Sequence, residues 1–337
     1  MGLQLKRAFD IVLQTKSYVL YRALIYIALC VCAVLYLTML SVIGAVFGAG
    51  AVWVLLGASV VMAVVLGVDG FIGEYIFYRL KAGHVALITE IISEGKFPVG
   101  ISQTKWARGR VLHYFRGVSF LSEVRQLLRD ILHGVNRNLF DSAAVLPVPG
   151  IEGGVRCAER IVDFSQNYIE EAAISYAFKA RNENVFEAMR HAVIIYCQAW
   201  RTLLGNAVTL TLLSYAFALV WAVVFLVPLG MIAVHVPEHW SVLQPTFVRF
   251  TLFASGIFLG LAAKWALFDP IACASMVITF LEESEVVAGA PELEVKIEAA
   301  AERYKILKER AARSTPTEPA DAPMSDAIQD IALDTEE

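Results

Sequence analysis

A chain of 337 residues that is 58% hydrophobic, with a mean hydropathy of +0.61, lies well above the soluble average and excludes an ordinary soluble domain. Its formal net charge of -4 is unevenly spread, bases flanking apolar stretches and acids gathering at the C-terminus, which gives no support to nucleic-acid binding. Five cysteines, Cys30, Cys32, Cys157, Cys197 and Cys273, show no paired spacing and exclude a disulfide framework.

Residues 1–22 form the first predicted element. Leu5, Phe9, Val12 and Leu13 fall on one side of a helix and Lys6, Arg7, Asp10 and Lys16 on the other, the pattern of an amphipathic helix on a membrane surface. From Ala23 to Val68 no charged residue or histidine occurs. A hydrocarbon core about 30 Å thick takes roughly 20 helical residues, so this run suffices for two crossings and is too long for a signal peptide. It predicts a transmembrane hairpin over residues 23–78, turning between Phe47 and Ala51 at Gly48 and Gly50. Gly44 and Gly48 make a GxxxG face for close helix packing, within the chain or against a second copy. Asp69 and Glu74, among Tyr75, Phe77 and Tyr78, suit an exit through an interfacial aromatic belt; Asp69 would bind an ion only from inside the core.

Residues 79–203 contain no spanning stretch and read as a helical cytoplasmic domain. Helices are expected near Val85 to Ser93 and over Phe120 to Val135, a linker at Gly95 to Gly100, and a loop at Asp141 to Gly154. Two further helices, broken near Arg181 to Asn184, follow from Arg156 to Gly205, with Asn184 and Glu187 in capping-box spacing. Between the linker and the Phe120 helix lie Lys105, Trp106, Arg108, Arg110 and Arg116. Bases interleaved with aromatics this close to a membrane exit favour anionic lipid headgroups over nucleic acid.

Residues 204–285 hold a third crossing from Asn206 to about Leu229, ended by Pro228 and Gly230, an outer loop, and a fourth crossing from about Val248 to Leu281. His235 and His239 in the loop have i,i+4 spacing, but Pro237 stands between them and no metal or cofactor is expected. Gly256 and Gly260 offer a second close-packing face. The fourth crossing is longer than one straight span needs, so it must tilt, kink at Pro270 or run beyond the bilayer. Lys264 falls late in it, placed to snorkel, to pair with Asp69 or Asp269, or, with Asn206, Asp269 and Asp69, to mark a solute path.

Residues 286–313 form a charged cytoplasmic helix. Leu293, Ile297, Ala300, Tyr304, Leu307 and Ala311 alternate steps of four and three, a heptad seam for a protein partner or second copy, or for docking on the chain's own helices. From Ser314 the composition is that of a disordered acidic tail. Bases precede the first crossing and fill the central domain but avoid both expected outer loops, which puts both termini and the central domain in the cytoplasm, across four crossings of the cell membrane. The fold class is therefore all-α, a polytopic membrane protein.

No Walker loop, dinucleotide fingerprint, HExxH or GxSxG occurs, so motif-based enzyme classes have no support. Cys157, Glu159, Asn167, Tyr168 and Ile169, then Ala173, Asn184, Phe186 and Ala188 ahead of a crossing, resemble a segment of choline-transporter-like proteins, where a Cys-Leu-Glu-Lys-Phe helix leads to Asn-Ala-Tyr-Ile and a membrane helix. Ala254, Ser255, Gly256, Asp269 and Phe280 to Glu285 loosely resemble that family's final crossing. The resemblance departs in crossing number and in the spacing from Ser255 to Glu282. It implies a solute transporter or transport-associated module; the alternative is a membrane scaffold that recruits partners through its cytoplasmic helices and tail.

Overall fold

In a computed structural model, the described residues are 3–48, 53, 56, 79–95, 97, 102–115, 118–143, 152–180, 184–236, 245–286 and 291–314. All their regular structure is helical. Among the described residues three helices are long and apolar enough to cross a membrane, at Lys16–Leu40, Trp200–Val234 and Val248–Val286, and they mark a membrane protein. Apart from Trp53 and Leu56, the expected second crossing, with Asp69 and Glu74, lies outside the described residues.

The chain divides into two compact units, one comprising Met1–Ser17, Tyr78–Thr211 and Ile271–Glu337 and the other Tyr18–Phe77 and Leu212–Pro270. In the first, α1 (Leu5–Gln14) packs on α3 (Arg79–Glu94), which also meets α4 (Gln103–Phe115) and α6 (Glu152–Lys179). Helix α5 (Val118–Ala143) crosses α6 and α7 (Val185–Gln198). Buried carboxylates tie these helices: Glu170 accepts from Arg125 at 3.0 Å and Arg129 at 2.7 Å, and Glu171 accepts from Lys81 at 2.7 Å. Charges buried in a bundle interior need such partners in place, so the ties specify how the helices align.

Helix α1 faces inward through Ala8, Ile11 and Val12, while Phe9 and Leu13 stay exposed. The expected stripe of Leu5, Phe9, Val12 and Leu13 is therefore split, because the protein core claims the side next to it and Thr15, bonded to His84 at 3.1 Å, closes the helix.

The second unit holds most of α2 (Lys16–Phe47), α8 (Trp200–Val234) from Leu212 onward, and α9 (Pro245–Ala263) with the π-helical turn Lys264–Phe268. Helix α9 runs antiparallel to both neighbours, since Trp265 meets Tyr26 while Thr251 reaches Leu37, and Gly260 meets Ala222 while Gly256 meets Leu226. A Cβ at Gly260 would lie 2.7 Å from that of Ala222 and one at Gly256 would lie 2.6 Å from Leu226 Cδ2, so glycine permits this approach. Gly48, at φ +85°, follows α2 in the left-handed conformation of a helix C-terminus; Gly44 lies inside α2.

Two helix ends differ from expectation. Helix α8 passes through Pro228 to Val234 instead of stopping there, since proline withholds one N–H and an apolar surrounding penalises every further unbonded group. The last apolar stretch, Val248–Val286, is long and apolar enough to span, but its burial changes along its length. Phe250, Phe253, Ile257 and Phe258 are exposed, whereas every residue from Ala272 to Leu281 in α10 (Asp269–Val286) is buried in the first unit. A helix apolar all round suits lipid and a protein interior equally, so composition alone does not mark the change.

Candidate docking site on the helical unit

The expected seam is seated in the first unit, in the groove between α5 and α7. Residues 291–313 form two helices, α11 (Pro291–Ala300) and α12 (Arg303–Arg313), turned at Ala301 and Glu302. Ile297, Ala301, Tyr304, Leu307 and Ala311 are buried in the chain's own bundle, so Ile297, Tyr304 and Leu307 are not offered to a partner as a free seam; Leu293 is half-buried. The heptad spacing was legible, but a folded-back pair uses the same apolar positions to fill a groove.

Sequence builds each wall. Asn184 caps α7 through its Oδ1, which accepts from the Glu187 N–H at 2.8 Å, while its Nδ2 donates to the carbonyls of Ala311 and Ser314 at the end of α12. One residue therefore starts the groove helix and holds the seated one. Gly134 of α5 passes under the turn, where an added Cβ would lie 3.2 Å from both Ala300 O and Ala301 Cβ. Along the rim, Arg190 donates to Glu294 at 3.0 Å and to Glu187 at 2.6 Å, Arg310 to Glu123 at 2.5 Å, and Arg303 approaches Asp130 at 3.6 Å. The Arg310 guanidinium also lies 5.5 Å over the Phe186 ring, itself edge-on to Phe120.

The groove also encloses a few polar groups. Tyr196 donates to Asn136 Oδ1 at 2.5 Å, and the buried Tyr304 hydroxyl and Asn136 Nδ2 find no hydrogen-bond partner among the described residues. Burial pushes the hydroxyls of Tyr196 and Tyr304 well above the ordinary 10.0 and the Cys197 thiol from 9.0 up to about 12. These groups stay neutral and none is an activated nucleophile.

The other expected site residues are dispersed. Lys264 and Asp269 meet at 3.1 Å, with the Lys264 ammonium 5.0 Å over the Tyr215 ring, in the last turn of the membrane unit. Asn206 belongs to the first unit, and its Nδ2 is buried without a hydrogen-bond partner among the described residues. Asp69 and Arg116 lie outside the described residues. Of the expected headgroup contacts, Lys105 and Arg108 are exposed on α4, but Trp106 and Arg110 are buried, Arg110 pairing with Glu90 at 3.6 Å and stacking on Trp106 and Tyr114. Helical periodicity turns those two inward, which their aromatic and basic character concealed. Gly134, Arg190, Glu123 and Asn136 were not singled out from sequence; the pairing of Arg190 with Glu294 spans 104 positions and left no local signal.

A cleft of about 570 Å³ in the first unit is lined by Arg7, Glu94, Lys179, Glu282 and Glu285, but Arg7 is bonded to Glu282 at 2.7 Å and Lys179 to Glu285 at 3.1 Å. Among the described residues no group of three or more His, Cys, Asp or Glu is placed to hold a metal. No protein-family model, curated protein or solved structure matches this chain.

Proposed function

We propose that this protein is a membrane scaffold that docks helical segments on a cytoplasmic helical platform. It crosses the cell membrane four times, with both termini and residues 79–203 on the cytoplasmic side, as the distribution of Lys and Arg requires. The observation that carries the proposal is the groove between α5 and α7 holding an amphipathic helix by apolar anchors and a charged rim, the helix-in-groove mode of peptide recognition. Exposed Phe9 and Leu13, with Lys105 and Arg108, supply contacts for lipid and anionic headgroups.

A solute carrier, as the resemblance to choline-transporter-like proteins implies, would need a polar path across the membrane unit. Lys264 and Asp269 are instead spent on each other at one end of that unit, beside Tyr215, Tyr26 and Trp265. That aromatic surrounding suits the headgroup level better than the midplane.

Co-purification tests the scaffold. Removing residues 286–337 empties the groove and should change the set of proteins retained on the tagged chain in lipid particles. An unchanged set would refute recruitment through this region. Flux of a cationic or amine solute in reconstituted vesicles, lost in Lys264→Ala, would favour transport instead.

A further inference from the structure

Residues 291–313 contain no helix breaker after Pro291, and the turn between α11 and α12 falls at Ala301 and Glu302, both strong helix formers. A straight helix would satisfy local preference and keep the heptad seam unbroken. The bend is held by tertiary contacts. Lys308 Nζ lies 2.7 Å from Glu298 and 3.9 Å from Glu294, residues that a straight helix would place about 15 and 21 Å away along the axis. At the corner, Tyr304 N–H donates to Ala301 O at 3.0 Å and Lys305 N–H to Glu302 O at 3.2 Å, the tight three-residue spacing of a 3₁₀ turn.

From these observations we infer that α12 is an exchangeable arm: the corner straightens into one helix, and α12 leaves its own groove for the same groove of a second copy. The occupant is fixed by complementarity already present within one chain. Tyr304, Leu307 and Ala311 fill the groove, Arg310 meets Glu123 and Arg303 meets Asp130, and every one of these contacts is regained between copies. Confinement of copies to one membrane raises their effective concentration and favours the exchange. The partner is therefore a second copy of this chain, and the product is a dimer joined by reciprocal arms.

Exchange rests on the scaffold proposed above but is tested on purified chains alone, so its failure leaves recruitment of other proteins, read by co-purification, standing. Two differently tagged full-length chains are co-expressed, one carrying Glu123→Arg and the other Arg310→Glu. Each sets like charges against each other within its own chain, whereas exchange matches opposite charges in both grooves. Tandem-affinity recovery of the mixed pair should exceed that from two unmodified chains. It should be lost when both also carry Glu302→Pro, because Glu302 has φ -57°, suited to proline at a helix start, while proline within a straight helix breaks it. Mixed-pair recovery no greater than for unmodified chains, or recovery indifferent to Glu302→Pro, overturns the exchange. Should the charge-reversed chains misfold, light scattering of the unmodified and Glu302→Pro chains in lipid particles still decides it: dimer lost in the proline variant supports exchange, and equal mass in both refutes it.

Discussion

Lys264 and Asp269, five residues apart, share one face because the helix between them is a π-turn: the Asp269 N–H bonds to Lys264 O, and the ammonium sits 3.1 and 3.2 Å from the two carboxylate oxygens. In an α-helix these residues would stand about 140° apart around the axis. Pro270 accounts for the turn. It cannot donate to Ala266 O and its ring would crowd that carbonyl, and an extra residue in the turn relieves both problems. Breaking such a buried ion pair costs about 3–5 kcal/mol, whereas replacing both partners with apolar groups is close to neutral. Lys264→Met should therefore lower the midpoint of thermal unfolding in lipid particles by more than the double variant with Asp269→Leu.

Gly260→Val should be equally informative about α9. The added Cβ meets Ala222 backbone at 2.7 Å, and overpacking of this kind costs about 1–3 kcal/mol. At Gly230 nothing lies within 4 Å, so Gly230→Ala should be neutral or slightly stabilising in the same measurement.

The two buried tyrosines of the groove should respond oppositely to loss of their hydroxyls. Tyr196→Phe strands Asn136 Oδ1 and should destabilise by about 1–3 kcal/mol, while Tyr304→Phe removes a hydroxyl that has no partner among the described residues and should leave stability unchanged or raised. Chemical unfolding of the purified chain distinguishes the outcomes.

Asn184→Ala should loosen both ends of one interface. It removes a helix cap worth about 1 kcal/mol and the two bonds to α12, so hydrogen exchange should rise in 185–190 and 303–313 together.

Alkaline pH should destabilise the fold. Cys197, Tyr196 and Tyr304 are acids whose folded values are raised, so they hold their protons in the folded state after the unfolded chain has released them. Their contribution is intact below the ordinary 9.0 of the thiol and 10.0 of the phenols, and it falls as pH rises beyond those values. Unfolding at fixed denaturant should increase from about pH 9 upward, less so in Cys197→Ala. The same burial predicts slow alkylation of Cys197 at pH 8 in the folded chain and rapid alkylation once it unfolds.

Membrane class, the all-helical fold and most helix positions were legible in the sequence because they follow from quantities local in the chain. Apolar run length, 3.6-residue periodicity and a capping Asn at position 184 act over one or two turns. Tertiary packing decided what local signals leave degenerate. An apolar run reads alike whether its surround is lipid or protein, so only the folded chain divides residues 248–286 into an exposed helix and a buried one. Arg110 and Trp106 carry the composition of a headgroup patch, yet the bundle takes them inside, where Glu90 answers the charge. The seam from Leu293 to Ala311 favours one straight helix by propensity, and the folded chain bends it because the groove between α5 and α7 buries the same residues and supplies their ion pairs from more than a hundred positions away.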